Sequence, residues 1–196
     1  LDVRLGSCDG LMTTDLAATE KGMNARTCRS SIAVWAVDSH RNYYRIWHRV
    51  GFFSFPQTVD YIFEGHRLFG GIIRATIIES NAFQKVVKPL LEQEQLLRGE
   101  WVNPLAVMAQ GDKKARIRAA WAPKLIRRQV WATADCQKEV LEELKLFPMS
   151  DNRVDVLDEA EKAFVYLNRP ETSEEREARE WEEDVRSSEI QNAVGY

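Results

Sequence analysis

Cysteine, histidine and long apolar stretches are what this 196-residue chain has least of. Its three cysteines, Cys8, Cys28 and Cys136, form no Cys-x-x-Cys pair and are odd in number. That argues against a disulfide framework and for an intracellular setting. The three histidines, His40, His48 and His66, lack ligand-like spacing, whereas zinc asks for clustered Cys and His. They read as ordinary strand or surface residues. No run approaches the roughly 18 to 20 apolar residues of a membrane span. The longest uncharged stretch is Trp101 to Gly111. The first residues, Leu-Asp-Val-Arg-Leu-Gly-Ser, carry no signal-peptide pattern. Nothing reads as a Gly-x-x-x-x-Gly-Lys-Ser/Thr phosphate loop. The chain does not open on methionine and is read as a fragment of something longer.

What remains is globular in balance, 44% hydrophobic and 29% charged, at a length suited to one domain. The net charge of −3 hides an asymmetry. Residues 171 to 196 hold nine acids and three arginines, so the body before them is mildly basic. We expect one domain over residues 1–170 and an acidic tail over 171–196, flexible or a frayed helix. A sharper feature is a one-sign block: Lys113, Lys114, Arg116, Arg118, Lys124, Arg127 and Arg128, with no acid before Ala134. A solvated helix face usually mixes signs, so the block fits a phosphate backbone as well as a plain basic helix.

The hydrophobic pattern orders the chain. A first strand lies within Val3 to Leu16, ending near Asp15. Ser31–Val37 and Tyr43–Val50 read as a hairpin around a polar turn. Pro56 opens a helix that Gly70-Gly71 stops. Ile72–Ile78 is a β-branched run suited to a buried strand, ending at Glu79. Phe83–Leu97 reads as a helix kinked at Pro89, and Glu100–Met108 as a strand interrupted by Pro104. Asp112–Leu125 reads as a basic helix broken or bent near Pro123. Gln129–Ala132 reads as a short strand, and a helix capped by Thr133 or Asp135 runs to Leu146. Val154–Leu167 is the last amphipathic helix. The order predicts an α/β fold: one mixed sheet with helices on both faces.

Three sets of acids sit where chemistry is convenient. Asp15 and Glu79 end strands, and Asp155 and Asp158 open the last helix. Strand ends of open sheets are where ligands bind. Carboxylates converging there repel one another unless cations neutralise them, and Mg²⁺ or Mn²⁺ suits oxygen donors. Each acid also has a plain structural reading: a turn acceptor, an arginine partner, or acids that complement a helix dipole.

These residues resemble the C-terminal nuclease domain of the large terminase subunit of tailed phages, a ribonuclease-H-like family. The resemblance covers about residues 10 to 168. It rests on Asp15 on an early strand, the hairpin 31–50, and Glu79 followed by Asn81 and Gln84. It continues through the Gly111–Arg118 segment and Glu143-Leu-Lys-Leu-Phe-Pro148, and ends at the Asp155/Asp158 helix. It implies a ribonuclease-H-like mixed sheet, a metal-dependent endonuclease cutting concatemeric viral duplex DNA, and two Mg²⁺ or Mn²⁺ ions. By the same resemblance Asp15, Glu79 and Asp155 are catalytic, and these three with Asp158 bind metal. Lys113, Lys114, Arg116 and Arg118 hold DNA phosphates. Arg153-Val154 replaces the family's histidine-Asp, and an alternative register puts Asp151 on the third ligand position. Arg29 or Ser30 stands where the family often carries an acid. The implied partners are an ATPase motor domain outside this sequence, the portal and the small terminase subunit, in the host cytoplasm during viral assembly. Two rival readings remain, a resolvase-like nuclease of the same fold and a non-catalytic docking module.

Overall fold

The computed structural model describes residues 5–17, 29–80, 87–149 and 154–167. After a 3-10 turn at Leu5–Ser7, three strands form an antiparallel meander: β1 (Asp9–Asp15), β2 (Ser30–Val37) and β3 (Tyr43–Gly51). Then come α1 (Phe55–Phe69), β4 (Ile73–Glu79), α2 (Lys88–Arg98) and β5 (Pro104–Val107). The described chain continues through α3 (Lys113–Ile126), β6 (Val130–Ala132), α4 (Ala134–Leu146) and α5 (Asp155–Tyr166). The six strands make one mixed sheet in the order β5-β4-β1-β2-β3-β6. β4 and β5 run parallel to β1, and β6 runs parallel to β3. The predicted mixed sheet flanked by helices is the one found, a ribonuclease-H-like arrangement.

Alternation along the strands sorts residues to two faces. Leu11, Ala33, Trp35, Val37 and Ile77 point toward α3, α4 and α5, while Met12, Ile32, Val34 and Ile78 point toward α1 and α2. A register shift opposite Val34 and Trp35 lets β3 turn Arg45 to the first face and Trp47 to the second. On α1 the apolar residues Val59, Ile62 and Phe63 recur at helical spacing and are buried. Its start is fixed by a capping box, Ser54 with Gln57. On the other face Phe164 of α5 packs edge-on against Trp35, Tyr43 and Trp121, with centroids 5.3, 5.1 and 5.0 Å away.

Three prolines behave differently from expectation. Pro89 sits in the first turn of α2, where a missing N–H costs nothing. The first part of the expected Phe83–Leu97 helix, residues 83–86, lies outside the described residues. Pro104 begins β5 rather than interrupting it, tolerated because β5 is an edge strand. α3 runs through Pro123. The carbonyl that loses its partner belongs to Ala119, an exposed residue. Cys8 and Cys136 are buried. No helix among the described residues is long and apolar enough to cross a membrane. The acidic tail 171–196 lies outside the described residues.

Candidate functional site

Because β1, β4 and β5 are parallel, their carboxyl ends share one rim of the sheet. Thr13 pairs with Ile77, and continuing that register sets Asp15 beside Glu79. Both extend from the face that α5 covers, since Leu11 and Ile77 belong to that core. β2 runs antiparallel to β1, so its beginning, with Arg29 before it, lies at the same rim. α3 starts there too, after β5, and places Lys113 over Asp15. α5 starts there with Asp155.

The ion pairs at the rim are specific. Lys113 Nζ lies 3.5 Å from Asp15 Oδ2 and 3.0 Å from Asp158 Oδ2. Arg116 spans Asp158 at 3.2 Å and Glu161 at 2.9 Å. Lys162 Nζ stands 3.8 Å from Asp158. Arg29 Nη2 donates to Glu143 at 2.8 Å, and its Nε lies 3.6 Å from Asp155 Oδ2. Asp155 Oδ2 is buried and has no hydrogen-bond partner among the described residues. Glu79 is half-buried, and its side chain has no ion pair or hydrogen bond among the described residues.

Burial and neighbours tune these groups in opposite directions. Burial pushes the Asp15 carboxyl up to about 6; Lys162 and Lys113 oppose the rise, and Asp158 and Asp155 add to it. Burial also raises Asp155 against Lys113 and Arg29. For Asp158 burial is outweighed by Lys162, Lys113 and Arg116, which hold it below the usual carboxylate range. Burial alone would lower the Lys113 ammonium, but Asp15 and Asp158 raise it.

Several participants escape a reading of the sequence. Glu143 of α4 reaches across to cap α5, its Oε2 accepting from the N–H groups of Val156 (2.9 Å) and Leu157 (3.1 Å). The residue before the helix, Val154, has no side chain able to do so. Burial pushes Glu143 up to about 7, with the Leu157 N–H and Arg29 opposing. Behind Asp15, Glu159 is fully buried. It pairs with Arg45 at 2.9 Å and accepts from Trp35 Nε1 at 2.8 Å and from the Thr13 hydroxyl. The only hint in the sequence is the dense acid spacing of 155–161.

The structure therefore brings Asp15, Asp155 and Asp158 together, with Glu79 on the adjoining strand end. Of the basic residues, Lys113 and Arg116 face these acids, Lys114 is half-buried, and Arg118 is exposed. The Asp151 alternative lies outside the described residues, as do Asn81 and Gln84. As donors, Asp15, Glu79 and Asp155 fit a hard divalent ion in kind: all are carboxylates, and Asp155 Oδ2 is buried with no hydrogen-bond partner among the described residues. They do not close a ready cage. Among the described residues no three Asp, Glu, His or Cys side chains converge with metal-ligand geometry.

No protein-family model and no curated protein matches the sequence. Solved structures do match in fold. The large terminase of a thermophilic bacteriophage aligns at a TM-score of 0.54, with 10% identity, over 81% of this chain. The same terminase in complex with ATP-γ-S aligns at 0.55, with 10% identity, over 78%. The chain spans 40% and 38% of those terminase chains. At that identity the likeness establishes a shared fold.

Proposed function

We propose that this chain is the nuclease module of a phage DNA-packaging terminase, cutting duplex DNA with the help of divalent ions. The observation that carries the reading is the Asp15–Glu79 pair on adjacent parallel strand ends, faced by Asp155, within a fold like that of a large terminase. Asp15, Glu79 and Asp155 would hold Mg²⁺ or Mn²⁺, two ions in the fullest form of the site. Bound there, such ions supply Lewis acidity to water and to the departing 3′ oxygen. The chain's own residues orient the rest. Glu143 and Arg29 fix the start of α5 and with it Asp155. Arg118 and Lys114 lie on the same helix as Lys113 and would steady the DNA through its phosphates, with little base preference. A motor domain, the portal and the small terminase subunit would be its partners in the host cytoplasm, and the duplex its substrate.

One observation favours a second reading. Asp158 and Asp155 already face resident cations, as they would in a docking module whose acids are structural.

Plasmid cleavage with EDTA, Mg²⁺ or Mn²⁺ decides between them. We expect ion-dependent nicking that Asp15→Asn reduces by at least about 1,000-fold, the scale of losing a residue that acts in the reaction itself. Normal cutting by that variant removes Asp15 from the site. No cutting under any ion, with no ion-induced rise in melting temperature, leaves the docking module.

A further inference from the structure

Lys113 carries a role beyond that of one more phosphate contact. Its ammonium bridges Asp15 and Asp158 at 3.5 and 3.0 Å. We propose that Lys113 is the resident counter-ion of this site, displaced from Asp15 when a divalent ion binds and thereby delivered to a DNA phosphate. This rests on the divalent-ion reading above and extends it to a residue that competes with the ion.

Three features single out Lys113. First, it can leave. It is the first residue of α3, and its side chain is 43% exposed. Arg116, one turn further on, is 19% exposed and bonded to two acids, and Lys162 is 3% exposed. Second, its departure is unequal in effect. Asp158 keeps Arg116 and Lys162, whereas Asp15 has no other cation within ion-pair distance among the described residues. Asp15 then keeps Lys162 beyond ion-pair distance but loses its direct ion pair, whereas Asp158 keeps two. Third, the two cations exclude each other. A hard dication binds carboxylate oxygen at about 2.0–2.1 Å, and an ammonium held against the same carboxylate would face it with like charge. Helix α3 itself need not move, because its start is held by Asp112, whose side chain accepts from the Ala115 N–H at 2.7 Å. The freed ammonium, on a flexible four-carbon stem, stays at the rim where a phosphate bound near Asp15 would lie.

Calorimetric titration of the whole chain with Mn²⁺, without DNA, tests this on wild type, Lys113→Met, Lys113→Arg and Asp15→Asn. We expect Lys113→Met to bind Mn²⁺ at least about tenfold more tightly than wild type. Lys113→Arg should stay near the wild-type value, and Asp15→Asn should lose binding. Equal affinity in wild type and Lys113→Met overturns the competition and leaves the ion site standing. Absence of Mn²⁺ binding in every protein overturns both. The delivery step is read separately, with a short duplex and non-cutting Ca²⁺. The ion should strengthen duplex binding more in wild type than in Lys113→Met, by at least about threefold. An equal gain in both removes Lys113 from the phosphate contact.

Discussion

The face of the sheet under α1 and α2 is filled by Met12, Ile32, Val34, Trp47, Ile62, Phe63 and Ile78, and its buried polar groups are neutral. Thr76 bonds His66 at 2.7 Å, and Gln95 accepts from the Val102 N–H at 3.0 Å. The face under α3, α4 and α5 has an equally apolar centre, but around it lie Arg45, Glu143, Asp155, Asp158, Glu159 and Lys162, all buried. Apolar burial stabilises both faces, at roughly 1.5–3 kcal/mol for each fully buried large side chain. Buried charge stabilises poorly, because desolvation offsets most of the Coulomb attraction. One face thus reads as structure. The other accepts a stability cost to hold carboxylates near the sheet rim, as the proposed cation site would require.

The largest effect should come from splitting the deepest pair on the charged face. Arg45 and Glu159 are both fully buried, and Arg45 Nε and Nη1 have no hydrogen-bond partners among the described residues. Arg45→Met leaves Glu159 unpaired and should cost about 3–5 kcal/mol, or roughly 10 °C or more in melting temperature. Adding Glu159→Leu should recover most of that loss. A double variant no more stable than the single one would mean that the pair itself, through Trp35 and Thr13, organises this face. Phe63→Ala on the apolar face, with a cost of about 3–5 kcal/mol, should have no charged partner change that rescues it.

A smaller effect separates the faces by pH. Asp15 titrates at about 6 in the folded protein against an ordinary 3.8, so the folded state holds this proton more tightly than the unfolded one. Stability from this group is then present at low pH and lost as pH rises from about 4 to 6. At pH 7 the ionised group costs roughly 2–3 kcal/mol. Asp15→Asn should therefore melt about 5 °C above wild type at pH 7 and about level with it near pH 4. His48, held neutral by burial with a value of about 4, contributes the opposite slope, so the difference between the two proteins is the quantity to follow. A pH-independent difference would mean that Lys113 and Lys162 neutralise Asp15 fully.

The same contrast explains what could be read from the sequence. The apolar face announces itself through local pattern: Val59, Ile62 and Phe63 at helical spacing, Ile77-Ile78 as a branched run. The strand-end positions of Asp15 and Glu79 follow from where those runs stop. The charged face does not announce itself, because its partners are distant in the chain. Lys113 and Arg116 look in sequence like one side of a phosphate-binding helix, yet their nearest acids are 42 to 45 residues later, apart from Asp15. Glu159 and Glu143 sit in acid-rich helical stretches that resemble solvated faces. Only the fold shows that one lies under Trp35 and the other caps α5. Local pattern encodes which side of an element is apolar, but not which distant charge answers a given one.

The smallest effect probes how closely the apolar face is packed. Gly65 of α1 lies against β1 and β3, and a methyl group added there would run into Met12 Cε and approach Trp47 Cζ3 to 3.2 Å. Overpacking typically costs about 1–3 kcal/mol, while alanine in place of glycine inside a helix returns about 1 kcal/mol. The atom in the way is the far end of a flexible, unbranched side chain, and methionine yields where a ring would not. Gly65→Ala should therefore change stability by no more than about 1 kcal/mol, and equally at pH 5 and pH 8, because no titratable group is disturbed. A loss of several kcal/mol would show that Trp47, rather than Met12, sets the spacing between α1 and the sheet. The apolar face would then be as intolerant of change as the charged one.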